Sequence, residues 1–243
     1  MKQLFICTIS IFILAIGCDD SPCLKGTGDN ITEVREIPDG IDIISLFDNL
    51  SLDIYIDSLN YIEISAGENV IEFVETEIIR NTLVLKNNNK CGFLRDFDQD
   101  ISIGLHITPF NTIEYSGSRN ITMHDTLRVD NFRFTSTEGA GSIKILLNCS
   151  GTSLVQCING FADVTLFGKS LHTGFFNDGS GWIYGKAFTN QSAYVRNRST
   201  GDCIVRADST LKCVLNGIGN IQYVGDPILI IENNGKGAVF QTK

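Results

Sequence analysis

The sequence predicts an all-β fold, a parallel β-helix (solenoid) wound in coils of about 18–22 residues. Three observations predict it. Apolar and polar residues alternate over much of the chain. A glycine-containing turn recurs about every 20 residues through the second half. An apolar position keeps a fixed phase to each turn.

The alternation is clearest in Ile41-Asp42-Ile43, Leu52-Asp53-Ile54-Tyr55-Ile56-Asp57, Ile62-Glu63-Ile64 and Ile101-Ser102-Ile103. A period of two puts apolar side chains on one face of a strand and polar ones on the other. No stretch shows convincing 3.6-residue apolar spacing of the kind an amphipathic helix needs.

The turn motif is a polar residue, Gly, any residue, Gly or a small residue, a variable residue, then an apolar one. It reads Glu138-Gly139-Ala140-Gly141-Ser142-Ile143 in one coil and Asn216-Gly217-Ile218-Gly219-Asn220-Ile221 in another. Its first-glycine position falls at 117, 139, 160, 179, 199, 217 and 235, spaced 22, 21, 19, 20, 18 and 18 residues apart. A repeat of this length with strands and no helix indicates solenoid coils; a sandwich of hairpins would place a turn at every hairpin. Glycine is expected to supply a positive φ at the corner. Asn159, Asp178, Asn216 and Asn234, each just before it, are expected to hydrogen-bond the turn.

Four residues after the first glycine stand Ile121, Ile143, Val164, Ile183, Cys203, Ile221 and Val239. Stacked at about 4.8 Å per coil, they would form an internal apolar ladder. A single coil is not stable alone: ordering ~20 residues costs on the order of 20–40 kcal/mol, against ~1.5–3 kcal/mol per buried apolar side chain. Neighbouring coils must therefore share their faces.

The N-terminus starts with Met1-Lys2-Gln3, followed by an apolar run from Leu4 to Gly17. At about 1.5 Å per residue this run falls short of the ~30 Å hydrocarbon core, so it reads as a secretory signal, residues 1–17, rather than a membrane span. Its end, Leu14-Ala15-Ile16-Gly17-Cys18, resembles a bacterial lipobox, although the leucine is four residues before the cysteine rather than three. The resemblance implies cleavage after Gly17 and a lipid on Cys18, hence a membrane partner through that anchor. Residues 18–29 would be a tether and 30–243 a single body. Asp19 and Asp20 resemble the export signals of surface lipoproteins in Bacteroidetes, and serve equally as a solvated spacer.

The formal net charge is −9 and the pI about 4.8. Without a basic stripe, nucleic acid is not an expected partner. An acidic surface also disfavours adsorption to anionic membranes by charge alone.

The serial glycine turns resemble those of the head GIN domain family, a class named for auto-transporter adhesins and common in Bacteroidetes. The ending Asn216-Gly217-Ile218-Gly219-Asn220-Ile221-Gln222-Tyr223-Val224-Gly225-Asp226-Pro227, followed by Gly235-Lys236-Gly237, carries the resemblance most specifically. It covers roughly residues 30–243. Arg119, Phe161-Ala162 and Ser199 depart from the glycine pattern. The resemblance implies a right-handed parallel β-helix, and similar sequences tend to carry both Cys23 and Cys91, which implies a disulfide between them. It carries over no functional residue, because the matched positions are turns.

Cys203, in the apolar column, and Cys213, alternating with Leu211 and Leu215, read as buried small hydrophobes. No cysteine or histidine spacing suggests zinc, and no cofactor is expected. The polar column three residues after the first glycine reads Asn120, Ser142, Asp163, Trp182, Asp202, Asn220 and Ala238. Asp163 and Asp202, two coils apart, would stand about 9–10 Å apart, near the upper limit for an inverting carboxylate pair. Trp182 between them could stack on a sugar; all three read first as outward turn decoration. His106, His124 and His172 fall at different phases of the repeat. Asp57-Ser58-Leu59, Asp125-Thr126-Leu127 and Asp208-Ser209-Thr210 resemble short O-glycosylation acceptors. The reading that follows is a non-catalytic envelope lipoprotein of the outer membrane, facing surface or periplasm, that binds glycan or protein. The alternatives are a periplasmic assembly element, self-associating through an open solenoid end, and, last, a carbohydrate-active enzyme.

Overall fold

The computed structural model describes residues 25–90 and 100–243. The predicted signal segment, Cys18, Cys23 and Cys91 lie outside the described residues. The first strands are β1 (Asn30–Glu36), β2 (Ile43–Asp48), β3 (Leu50–Ile56), β4 (Tyr61–Gly67), β5 (Val74–Ile79) and β6 (Thr82–Asn87). Then come β7 (Ile101–Ile107), β8 (Thr112–Gly117), β9 (Ile121–Met123), β10 (Leu127–Val129) and β11 (Phe132–Thr137). Four long bent strands follow: β12 (Ser142–Ile158), β13 (Asp163–Asp178), β14 (Ile183–Asn197) and β15 (Cys203–Leu215). The last are β16 (Ile221–Val224), β17 (Ile228–Asn233) and β18 (Val239–Gln241).

From β8 onward the chain is a parallel β-solenoid. Each long strand stacks on the next in parallel register, bends at a corner and continues in a second sheet. The register follows the sequence repeat. Ile121 pairs with Ile143, Ile143 with Val164, Val164 with Ile183, Ile183 with Cys203, Cys203 with Ile221 and Ile221 with Val239. Leu52 of β3 continues this ladder beneath Ile121. In the second sheet the ladder runs Ile44, Ile113, Phe134, Val155, Phe175, Val195, Cys213, and each of these is fully buried.

The N-terminal end departs from the coil period. β4 runs antiparallel to both β1 and β7, and β5 antiparallel to β6. β2 lies between β6 and β8, and β3 between β7 and β9. This end is closed by antiparallel layers. At the other end β17 is exposed along its length. Leu229 and Ile231 occupy inward columns yet are 37% and 49% exposed, since no described coil follows.

The turn glycines are required by a different physical cause from the one the sequence suggests. Among described glycines only Gly28, Gly40, Gly168 and Gly225 have positive φ, none of them in the repeated motif. Positive φ falls instead on the preceding residue in two coils, Glu138 and Asn159. At Gly181 and Gly201 the constraint is contact: a Cβ would overlap the carbonyl oxygen of Ala162 and of Gly181, respectively, in the coil below. Ser199, in a glycine position, is buried, and its Oγ accepts a hydrogen bond from the Gly201 amide at 2.9 Å. Coil-length differences are absorbed elsewhere, in register shifts between Cys149 and Thr152, Thr165 and Phe167, Gly185 and Thr189, and Asn190 and Ser192.

Replacing Gly201 with Ala should destabilise the fold by about 3 kcal/mol or more, because a backbone carbonyl cannot give way as a side chain can. Gly26→Ala, where nothing lies within 4 Å, should be close to neutral. Urea unfolding midpoints of the two variants provide the comparison.

Candidate ligand-binding faces

Inward-facing polar side chains hold the corners. The Nδ2 groups of Asn177, Asn197 and Asn233 donate to the carbonyls of Gly181, Gly201 and Gly237, each four residues on. Tyr115 does the same in the first coil, its hydroxyl donating to the Arg119 carbonyl at 2.6 Å and accepting from the Gly141 amide at 3.0 Å. A buried hydroxyl and amide cluster, Ser153, Ser170, Thr173 and Asn190, lines the other corner; Ser153 Oγ lies 2.6 Å from Thr173 Oγ1, which donates to Asn190 Oδ1.

The polar column that follows the glycines forms a ladder between coils. Asn120 Oδ1 accepts from the Ser142 amide, Asp163 Oδ1 from the Trp182 amide at 2.8 Å, Asp202 Oδ1 from the Asn220 amide at 2.7 Å, and Asn220 Oδ1 from the Ala238 amide. Asp202 is buried and also accepts from Asn220 Nδ2 and from Gln222 Nε2 at 2.9 Å. Trp182 lies between these acids, 36% exposed, its ring stacked on Tyr184 at 5.7 Å and 11°. The structure thus brings the three sequence-selected residues together while tying both carboxylates to the stack.

Sequence reasoning missed a second arrangement. His106 and His124, at different phases of the repeat, lie on opposite faces of the Tyr55 ring, at centroid distances of 4.7 and 4.6 Å. Tyr61 stacks on the far face of His106 at 4.3 Å, making a continuous pile of four rings. Asp57 Oδ2 lies 3.2 Å from His106 Nδ1, and Asp53 Oδ1 lies 2.7 Å from His124 Nε2. The only sequence signal was the alternation that turns positions 55, 61 and 106 outward. Irregular N-terminal pairing, not the repeat, sets them side by side.

Among the described residues no three His, Cys, Asp or Glu side chains gather as metal ligands. Cys149, Cys157, Cys203 and Cys213 are free and buried. Burial pushes the thiols of Cys157 and Cys213 up to about 12 and raises that of Cys203, so these three are not reactive thiolates. Ser58, Thr126 and Ser209 of the three acceptor-like tripeptides are exposed.

A body of stacked coils, with side chains presented in rows along its sheets, defines a β-solenoid. The chain belongs to the head GIN domain family, described as "putative auto-transporter adhesin", which matches residues 41–227. A comparison with curated proteins finds no match. Among solved structures it is similar to a putative adhesin from Bacteroides fragilis, with a TM-score of 0.80 at 20% identity, covering 90% of this chain and 100% of that one. A putative lipid binding protein from Parabacteroides distasonis gives 0.65 at 20% identity, covering 90% and 100%. A putative adhesin from Parabacteroides merdae gives 0.61 at 18% identity, covering 90% and 98%. At these identities the likeness is one of fold.

Tyr115 links the first corner to alkaline stability. Burial raises its hydroxyl from 10.0 to about 12. Its contribution is fully present below pH 10 and is lost as pH rises to about 12. Tyr115→Phe should cost about 1–3 kcal/mol through the two lost hydrogen bonds. It should also remove the late step from the phenolate absorbance titration.

Proposed function

We propose that the chain is a non-catalytic binding element of the bacterial cell envelope, a lipid-anchored adhesin whose body takes a glycan on the outer face of its first sheet. The observation that carries this reading is the stacked pair of Trp182 and Tyr184 beside the committed carboxylates of Asp163 and Asp202. A flat aromatic pair next to polar groups suits a sugar ring, which has apolar C–H faces and a hydroxyl rim. The bonds that both carboxylates make to the stack argue against an acid and base pair acting on a glycosidic bond. Membership of the adhesin family supports the same reading. The lipobox-like Leu14-Ala15-Ile16-Gly17-Cys18 supplies the anchor, and two or three acyl chains at Cys18 would make release from the membrane very slow.

Purified protein presented with a glycan panel should bind at least one member. Trp182→Ala should weaken that binding tenfold or more without shifting the melting temperature. Unchanged binding in the variant, or cleavage of any glycan by the native protein, overturns the reading. In cells, Cys18→Ser should move the protein from the membrane to the soluble fraction, and protease shaving should digest the native body while a periplasmic control survives.

One observation favours a second reading, a periplasmic assembly role: the last described coil exposes Ile228, Ile230 and Ile231 of β17 and Phe240 of β18, strands paired in parallel on one side only. Light scattering would then report a dimer or larger species that Ile230→Lys returns to monomer. A native monomer at all concentrations sets this reading aside.

A further inference from the structure

Toward its corner the outer face of the first sheet ends in a row of different chemistry. Arg128 pairs with Asn148, Asn148 with Lys169, Lys169 with Thr189 and Thr189 with Arg206, so five successive coils contribute one outward side chain each. The row alternates cation, neutral hydrogen-bonding group, cation, neutral group, cation. The three cations are exposed and the two neutral groups half-buried. Arg128, Asn148 and Lys169 line a groove of about 530 Å³ with Asp130, Ser150 and Leu171. Phe167, two residues before Lys169, and Leu171, two residues after, are each 39% exposed and give the row apolar flanks.

Two acids stand beside the row and offset its charge only in part. Asp130 is tied to the Ser150 hydroxyl, which donates at 2.5 Å. Asp208 lies 3.6 Å from the Arg206 guanidinium, but both side chains are about half exposed, and such pairs contribute little. A chain of net charge −9 thus carries three cations in line, spaced two coils apart, roughly 9–10 Å at the β-stacking distance, against two flanking acids.

We infer that this row is a binding track for an acidic polysaccharide in which charged and neutral sugars alternate. The inference rests on the glycan-binding reading above and names the ligand class. An extended β-linked disaccharide is about as long as two coil rises, so a carboxylate on every second sugar meets Arg128, Lys169 and Arg206 in turn. The intervening neutral sugars lie over Asn148 and Thr189, which can donate to and accept from their hydroxyls. Arginine suits the carboxylate through its paired N–H groups. Nucleic acid fits poorly: its phosphates fall every ~3.4 Å along each strand of a duplex, far denser than this row. Each cation sits about one Debye length from the next at 0.1 M salt, so the track recognises spacing rather than a pooled positive field.

The test measures binding of the purified protein to hyaluronan oligosaccharides, whose carboxylates fall on alternate sugars. Neutral dextran, single-stranded oligothymidylate and phosphatidylglycerol vesicles are the comparisons. Hyaluronan should bind best and weaken with salt. Lys169→Glu should reduce its affinity tenfold or more, and the double variant Arg128→Gln, Arg206→Gln should do likewise; circular dichroism and melting temperature confirm folding. Lys169→Arg should retain binding. Equal hyaluronan affinity in the native protein and Lys169→Glu overturns the track, as does tighter binding of oligothymidylate or vesicles than of hyaluronan. If Trp182-dependent binding of neutral glycans persists while hyaluronan fails, the track is wrong and the broader glycan-binding reading stands. If no glycan binds at all, both fall.

Discussion

The fold depends on how closely one turn can lie upon the next. The carbonyls of Ala162 and Gly181 occupy the space that a Cβ on Gly181 and Gly201 would need. Only this approach keeps the turn at the same stacking distance as the strands beside it. Were the turn held further away, the ladders through Val164, Ile183 and Cys203 could not stay in register. The hydrophobic core is thus conditional on a backbone contact that buries almost no apolar surface.

A second layer of constraint comes from polar groups placed where a core would ordinarily be greasy. Tight corners leave backbone carbonyls and amides pointing inward, and unpaired groups of that kind are costly. Asn177, Asn197 and Tyr115 answer the carbonyls from inside, and Asp163 and Asp202 answer the amides from the edge. The outer faces are left to other tasks. Trp182 and Tyr184 sit at the turn margin and cations at the other, the cations recurring on every second coil at the interval that the backbone sets.

Much of the solenoid was legible in the sequence because its physics is periodic. The column from Ile121 to Val239 could be aligned by counting, and the pairings follow that count. The role of glycine was misread, since a turn's φ is a local property while the clash at Gly201 arises from a residue 20 positions earlier. The antiparallel closing layers were invisible for a related reason. β2 pairs with β8 across nearly 70 residues, and no repeat marks that distance. The ring pile shares this origin: Tyr55, His106 and His124 meet through pairings that skip over intervening strands. Asp163, Trp182 and Asp202 were found together by phase, but their hydrogen bonding was not, because alternation tells which way a side chain points and not what it holds.

The register shifts near Cys149, Thr165, Gly185 and Asn190 lie away from the stacked turn. The coil can therefore gain or lose a residue at those points without disturbing the glycine contact or either ladder. Such positions form a reservoir of tolerated change within an otherwise rigid repeat. Relatives can diverge there in loop length and outward chemistry while inheriting the same scaffold, so the part of each coil free to vary in length is also the part beside the exposed groove.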